Sequence, residues 1–362
     1  MKPNEHEFKI MGMAPYAKKN YYKTVNKKVF HNLLRFENLA IVHKKRPRDL
    51  YQFLKKELMP YRFDNIAGAL QYYLETTVQK LLLKINRKYG IKNFYFSGGV
   101  SMNVKMYNTF IKSRHISKIF NAPSGTDESL SIGACYYLNH KNKSYPLTNL
   151  SLGLPVVERK QSLKKILKLY FDKNYKLIYN VKPKQIAKLL SKNEIVALVN
   201  GREEFGARAL GNRSIIANPS NFENVKQINE FIKNRDFWMP FALTLKDSKQ
   251  RKYLINPKNL KSHYMNLSFD TKKQYFHDIA AGCHPYDKTV RPQFLRKEQN
   301  EIFYNIIHEF SKITKIDALL NTSLNLHGYP KCSDIKNIIK TFKSSGLKYL
   351  YIEGNILIKL KT

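Results

Sequence analysis

Residues Val196 to Pro219, VALVNGREEFGARALGNRSIIANP, set three arginines, Arg202, Arg208 and Arg213, among Gly201, Gly206 and Gly211. A guanidinium carries a planar fork of N–H donors that matches a phosphate or carboxylate at two points, and glycine lets backbone approach a ligand closely. The stretch therefore suits an anionic group. A solvated basic loop is the alternative. Surface charge elsewhere in the chain is mostly lysine, whereas these arginines lie among glycines and apolar residues, which favours the anion site.

The elements that must position this loop show a fold class of α/β. Ile195–Val199 reads as a strand running into it, preceded by a strand at Tyr175–Tyr179 and a helix at Lys184–Ser191. Loops at strand ends are the usual place for ligand contacts in such folds. Upstream, Ile66, Leu70, Leu74, Val78, Leu81 and Ile85 recur at helical spacing, with Asp64 at the start and Gly90 beyond the end. A strand at Asn93–Phe96, a turn at Gly98-Gly99 and a helix from Val100 to Ser113 follow; a junction of this kind aims backbone N–H groups at an anion, although a Gly-Gly turn alone is more often structural. A second strand, Lys118–Asn121, leads to Asp127 at the start of a small-residue helix, where a carboxylate is ordinarily a cap worth about 1 kcal/mol. Residues 21–62 have no firm period and read as an insertion or a helical hairpin. The polar stretch 139–155, broken by Pro146, Gly153 and Pro155, marks a boundary between domains 1–150 and 151–362.

The chain has 362 residues, 43% hydrophobic and 13% aromatic, enough for packed cores. Its formal charge of +37 would suit a nucleic acid or an anionic membrane surface. The lysines are scattered, however, and Asn, Ile, Tyr and Phe are abundant too, so compositional drift is the preferred explanation. Cys135, Cys283 and Cys332 lack metal-ligand spacing. No apolar run reaches membrane-spanning length and Met1–Lys9 has no hydrophobic signal core, so a cytoplasmic protein without membrane insertion is expected.

GREEFGARALGNRSIIANPS resembles the GR-EFG-RALGNRSI segment of the O-carbamoyltransferase family. HEFKIMGMAPYA at 6–17, FSGGVSMN at 96–103, RDFWMPFA at 235–242, HPYDKTVRPQ at 284–293 and LLNTSLNLHGYP at 319–330 agree in order. The resemblance implies the second lobe of an actin-like, Kae/TsaD-type domain over 1–150 and a YrdC-like domain over 151–362, with the first lobe absent. It implies that carbamoyl phosphate and ATP form carbamoyl-adenylate, whose carbamoyl group passes to an acceptor hydroxyl of a sugar, glycan or secondary metabolite.

By the same resemblance Arg208, Arg213 and Arg291 are catalytic. Gly98, Gly99, Asn103, Arg202, Asn212, Ser214, Asn321, Thr322, Ser323 and Asn325 bind substrate or nucleotide, and Asp127 is a ligand of a divalent metal: iron, manganese or zinc. Arg235 is a further phosphate candidate, and His284 reads as a structural histidine within a ligand-binding segment. The sequence departs from the family at Met239, where many members have arginine, and at Tyr329, where a glutamate is usual. The family's pair of histidines one helical turn apart has no counterpart here, so a companion chain supplying the missing lobe is implied for a complete metal site. A non-catalytic partner subunit, and then a tRNA-modifying or RNA-binding protein, rank after carbamoyl transfer.

Overall fold

The computed structural model describes residues 6–143, 145–157 and 162–361. Every residue of the strands Val196–Val199, Arg213–Ala217 and Ala242–Lys246 is buried, the pattern of strands covered on both faces. They belong to a mixed eight-stranded sheet in the order Pro292–Leu295, Ala242–Lys246, Ala318–Ser323, Arg213–Ala217, Val196–Val199, Tyr349–Ile352, Ile356–Leu360, Tyr175–Ile178. The first pair and the Val196–Val199/Tyr349–Ile352 pair are parallel; the others are antiparallel.

Successive strand residues point to opposite faces. Val196 and Leu198 join an apolar cluster with Phe303, Ile306, Ile307 and Phe310, while Ala197 and Val199 join another with Ile335, Ile338, Ile339 and Phe342. Those two sets are the inward stripes of the helices Glu301–Thr314 and Ile335–Lys343. Each helix starts at a side-chain cap: Asn300 accepts from the Phe303 N–H and Asp334 from the Asn337 N–H.

In the first half, the helix Phe63–Tyr89 ends at Gly90, whose φ of 71° is left-handed. Asp64 sits in its first turn and pairs with Arg62 at 3.0 Å. Residues 21–62 are not a helical hairpin: an antiparallel β-hairpin, Leu34–Glu37 with Ala40–His43, separates the helices Lys19–Lys28 and Leu50–Leu58. Asn93–Phe96 and Lys118–Asn121 pair in parallel around the helix Val104–Lys112. That helix begins later than its apolar pattern suggests, because Gly99–Met102 forms a 3₁₀ turn and Asn103 caps Val104–Lys112 by accepting from the Met106 N–H.

The halves share buried apolar surface. Met106, Tyr107 and Phe110 belong to the same cluster as Leu260, Leu267, Phe269 and Phe294, and Lys258 Nζ donates to the carbonyls of Phe110, Ser113 and Ile116 at the end of the helix Val104–Lys112. The stretch expected as a linker also packs: Gly153 N–H donates to Glu203 O at 2.9 Å, Glu203 N–H to Leu154 O at 2.8 Å and Phe205 N–H to Leu150 O at 2.7 Å. It therefore lies along the arginine loop. Among the described residues no helix is long and apolar enough to cross a membrane.

Candidate functional site

A cavity of about 510 Å³ lies where the first half meets the large sheet. Its cationic wall comes from three places in the chain. Arg208 projects from the loop between the strands Val196–Val199 and Arg213–Ala217, and Arg291 stands just before the strand Pro292–Leu295. Lys233 ends a π-helical turn, Asn229–Lys233, and Arg235 follows it after Asn234, whose φ is 41°. Lys9 and Gly12 from the first helix, Glu7–Met13, with Lys105 from the helix Val104–Lys112, line the opposite side.

Arg235 Nη2 donates to Thr322 Oγ1 at 3.1 Å, and its guanidinium lies 4.8 Å from the centre of the Phe241 ring. Lys233 Nζ donates to Ser323 Oγ at 3.1 Å, Asn325 O at 3.2 Å and Asn325 Oδ1 at 2.5 Å, all uncharged acceptors. Arg208 Nε and Arg291 Nε are buried and unpartnered. Among the described residues, none of Arg208, Arg235, Arg291 and Lys233 has a carboxylate within 4.0 Å.

Burial pushes the Arg208 guanidinium down to about 10. Arg235 falls to about 10 through burial and then repulsion from Arg208, and Arg291 is pushed well down by burial with added repulsion from both. Lys233 is lowered to about 6 by burial and then by Arg235. Cations gathered out of water without a counter-ion are costly unless an anion compensates them. A bound anion would relieve that cost.

His284 is buried; Nε2–H donates to Gly12 O at 2.8 Å, and Nδ1 accepts from the N–H groups of Tyr286 and Asp287 at 3.2 and 3.3 Å. Burial lowers its pKa against the opposing pull of Asp287, consistent with a neutral ring. Nε2 therefore fastens the helix Glu7–Met13 to the cavity rim, while Nδ1 closes the turn at Tyr286 and Asp287. Lys105 bonds to Asp287 and reaches Thr289 Oγ1 at 3.3 Å.

Not every residue singled out in the sequence lines this cavity. Arg213 is fully buried apart from it. Its Nη1 donates to the carbonyls of Asn200, Gly201 and Asn212, its Nη2 to those of Leu154 and Ser333, and its Nε to Ser333 O. Those bonds hold the loop together, in place of the catalytic contact expected of Arg213. Arg202 is exposed and donates to Leu152 O. Asn212 bonds Ser151 Oγ, Arg202 O and Asn300, Ser214 Oγ accepts from the Gly211 N–H, and Asn321 donates to Ala209 O and Thr244 Oγ1. Thr322, Ser323 and Asn325 do meet the cationic wall, as the partners of Arg235 and Lys233. Gly98 and Gly99 face open space, and Asn103 exchanges hydrogen bonds with Gln71 while capping its helix. Met239 lines the cavity; Tyr329 is exposed and does not.

Lys233 and Glu204 were not legible in sequence. Glu204 Oε1 accepts from the N–H groups of Leu210 and Asn212, each at 2.7 Å, and of Arg213 at 3.1 Å, closing the arginine loop on itself. Its carboxylate, alternating with arginines, could have been read as an internal anchor. For Lys233 the chain offered no signal beyond one lysine among many.

The metal expected at Asp127 does not fit. Asp127 opens a 3₁₀ turn beside Glu128, whose carboxylate accepts from Ser124 and Thr126, and among the described residues no three or more His, Cys, Asp or Glu side chains gather to hold a metal ion.

Residues 187–359 match the family model described as carbamoyltransferase C-terminus, and residues 1–136 the one described as carbamoyltransferase N-terminus. An uncharacterized protein of Methanocaldococcus jannaschii is 32% identical over 99% of this chain and 70% of its own length. The chain belongs to the carbamoyltransferase family. Nodulation protein NolO of Bradyrhizobium diazoefficiens is 26% identical over 98% of this chain and 65% of its own, and nodulation protein NolNO of Sinorhizobium fredii 26% over 98% and 53%. The chain thus spans from about half to 70% of the length of these relatives. The expected absence of an N-terminal lobe is not supported, since residues 1–136 are themselves matched by the N-terminal family model. A crystal structure of full-length HypF in the phosphate- and nucleotide-bound form superposes with a TM-score of 0.35, at 20% identity over 53% of this chain and 23% of that one.

Proposed function

We propose that this carbamoyltransferase binds its anionic carbamoyl donor, carbamoyl phosphate, at the cationic wall, where water splits it into carbamate and phosphate; a carbamate oxygen then attacks the α-phosphorus of ATP to give carbamoyl-adenylate and pyrophosphate, and an acceptor hydroxyl takes the carbamoyl group with release of AMP. Family membership supports carbamoyl transfer. The observation that carries the finer reading is the convergence of Arg208, Arg235, Arg291 and Lys233 on one cavity whose lining carboxylate, Asp236, pairs with Lys9 at 3.0 Å, while among the described residues none lies within 4.0 Å of those four. Fixed donors of this kind stabilise charge that develops on phosphoryl and carboxyl oxygens without reorganising as the reaction proceeds. Asn325 lines the same space; its Nδ2 donates to the carbonyls of Leu326 and Tyr329 and its Oδ1 accepts from Lys233 and Ser323, so it holds Lys233 in the wall. In this reading residues 151–362 act as the YrdC-like, adenylate-forming part.

The test is carbamoyl-phosphate-dependent release of pyrophosphate from ATP by the purified chain. Release by the wild type that is lost in Arg208→Ala supports the reading. A folded wild type that releases none, or an Arg208→Ala variant as active as the wild type, overturns it.

A further inference from the structure

Arg208 projects from a stretch with no regular secondary structure, and its buried Nε has no partner to hold it. Something other than its own side-chain bonds must fix its place. Two buried side chains outside the cavity do so. Glu204 uses one carboxylate oxygen to gather three backbone N–H groups of the loop; the other, Oε2, is buried without a hydrogen bond and lies 3.6 Å from Lys331 Nζ. Lys331 Nζ donates to Glu204 O at 2.7 Å and to Arg208 O at 3.1 Å. One ammonium thus grips both the residue that shapes the loop and the residue that faces the anion.

Lys331 also sits just beyond Asn325, His327 and Gly328, which line the cavity. Two residues on, the carbonyl of Ser333 receives Nε and Nη2 of Arg213. The segment 331–333 is therefore tied to the arginine loop at both ends, so that loop and the cavity-lining residues 325–328 share one frame. Lys331 itself does not line the cavity.

We propose that Lys331 is a positioning residue: through the carbonyls of Arg208 and Glu204 it sets the Arg208 guanidinium for anion binding, without touching the anion. This rests on the reading of the cavity as the donor site. A structural lysine alone would affect melting; a positioning one must be coupled to Arg208.

The experiment is a double-mutant cycle of Lys331→Met and Arg208→Ala, titrated with inorganic phosphate by calorimetry, with melting recorded without ligand. Lys331→Met is expected to weaken phosphate binding about tenfold, Lys331→Arg to recover most of that loss, and Lys331→Met to add almost nothing in the Arg208→Ala background. Additive losses, or undiminished binding in Lys331→Met, overturn the inference. If Lys331→Met does not fold, Lys331→Gln and Glu204→Gln enter the same cycle, and additivity with Arg208→Ala there counts equally against it. Coupled phosphate binding in a chain that releases no pyrophosphate would leave this inference standing while the adenylate reading falls.

Discussion

Arg208 and Arg213 share a loop and a chemistry, yet their surroundings give them different work. Arg213 spends its donors on the carbonyls of five residues, so Arg213→Ala leaves buried acceptors unpaired and is expected to cost about 3 kcal/mol or more, measured by urea unfolding. Arg208→Ala removes a cation without a counter-ion and should leave stability unchanged or raised. Lys233 behaves likewise with pH. Its folded pKa is depressed to about 6, whereas an unfolded lysine titrates near ~10.4, so between these values the unfolded chain binds the proton and the folded chain does not. This burial cost is fully present below about pH 6 and fades as pH rises. Lys233→Met should therefore stabilise the ligand-free protein most at pH 6, with the advantage shrinking toward pH 10, as read from paired unfolding curves.

At the scale of elements, the loop's shape depends on Gly211 as well as on Glu204. Gly211 has a φ of 111°, and a Cβ there would lie 2.4 Å from Phe303 Cδ1 and 2.9 Å from Asn300 Nδ2, at the start of the helix Glu301–Thr314. Gly211→Ala is expected to cost about 2–3 kcal/mol in urea unfolding and to weaken anion binding by moving Arg208. Strands such as Val196–Val199 were legible because their apolar runs bury on both faces, and the long helix Phe63–Tyr89 because its stripe persists to a left-handed glycine. The hairpin Leu34–Glu37/Ala40–His43 was not, since Leu34–Glu37 alternates over four residues only and Ala40–His43 is largely exposed without alternation. In the site, the sequence pointed to the loop and to Arg291 but did not separate Arg208 from Arg213. That distinction depends on which guanidinium finds carbonyls contributed by Leu154 and Ser333, distant in sequence. Lys233 was hidden for the same reason, as its burial comes from tertiary packing.

Across the whole molecule, the cavity exists because both halves wall it: Lys9, Gly12 and Lys105 on one side, the ends of the large sheet's strands on the other. The net charge of +37 adds a long-range attraction for anions that salt screens, and in the proposed reading the four cations lining the cavity supply the specific part. On that reading these residues, and not the general basic surface, hold the carbamoyl donor. The most direct measurement is a calorimetric titration of carbamoyl phosphate into the wild type and into the Arg208→Ala, Arg291→Ala and Arg202→Ala variants at physiological ionic strength. Binding should fall by about 10- to 100-fold in Arg208→Ala and Arg291→Ala, each of which loses a charge-assisted contact. Arg202→Ala should stay close to the wild type, because Arg202 is exposed and outside the cavity. Equal losses in all three variants, or full binding in Arg208→Ala, would contradict the account.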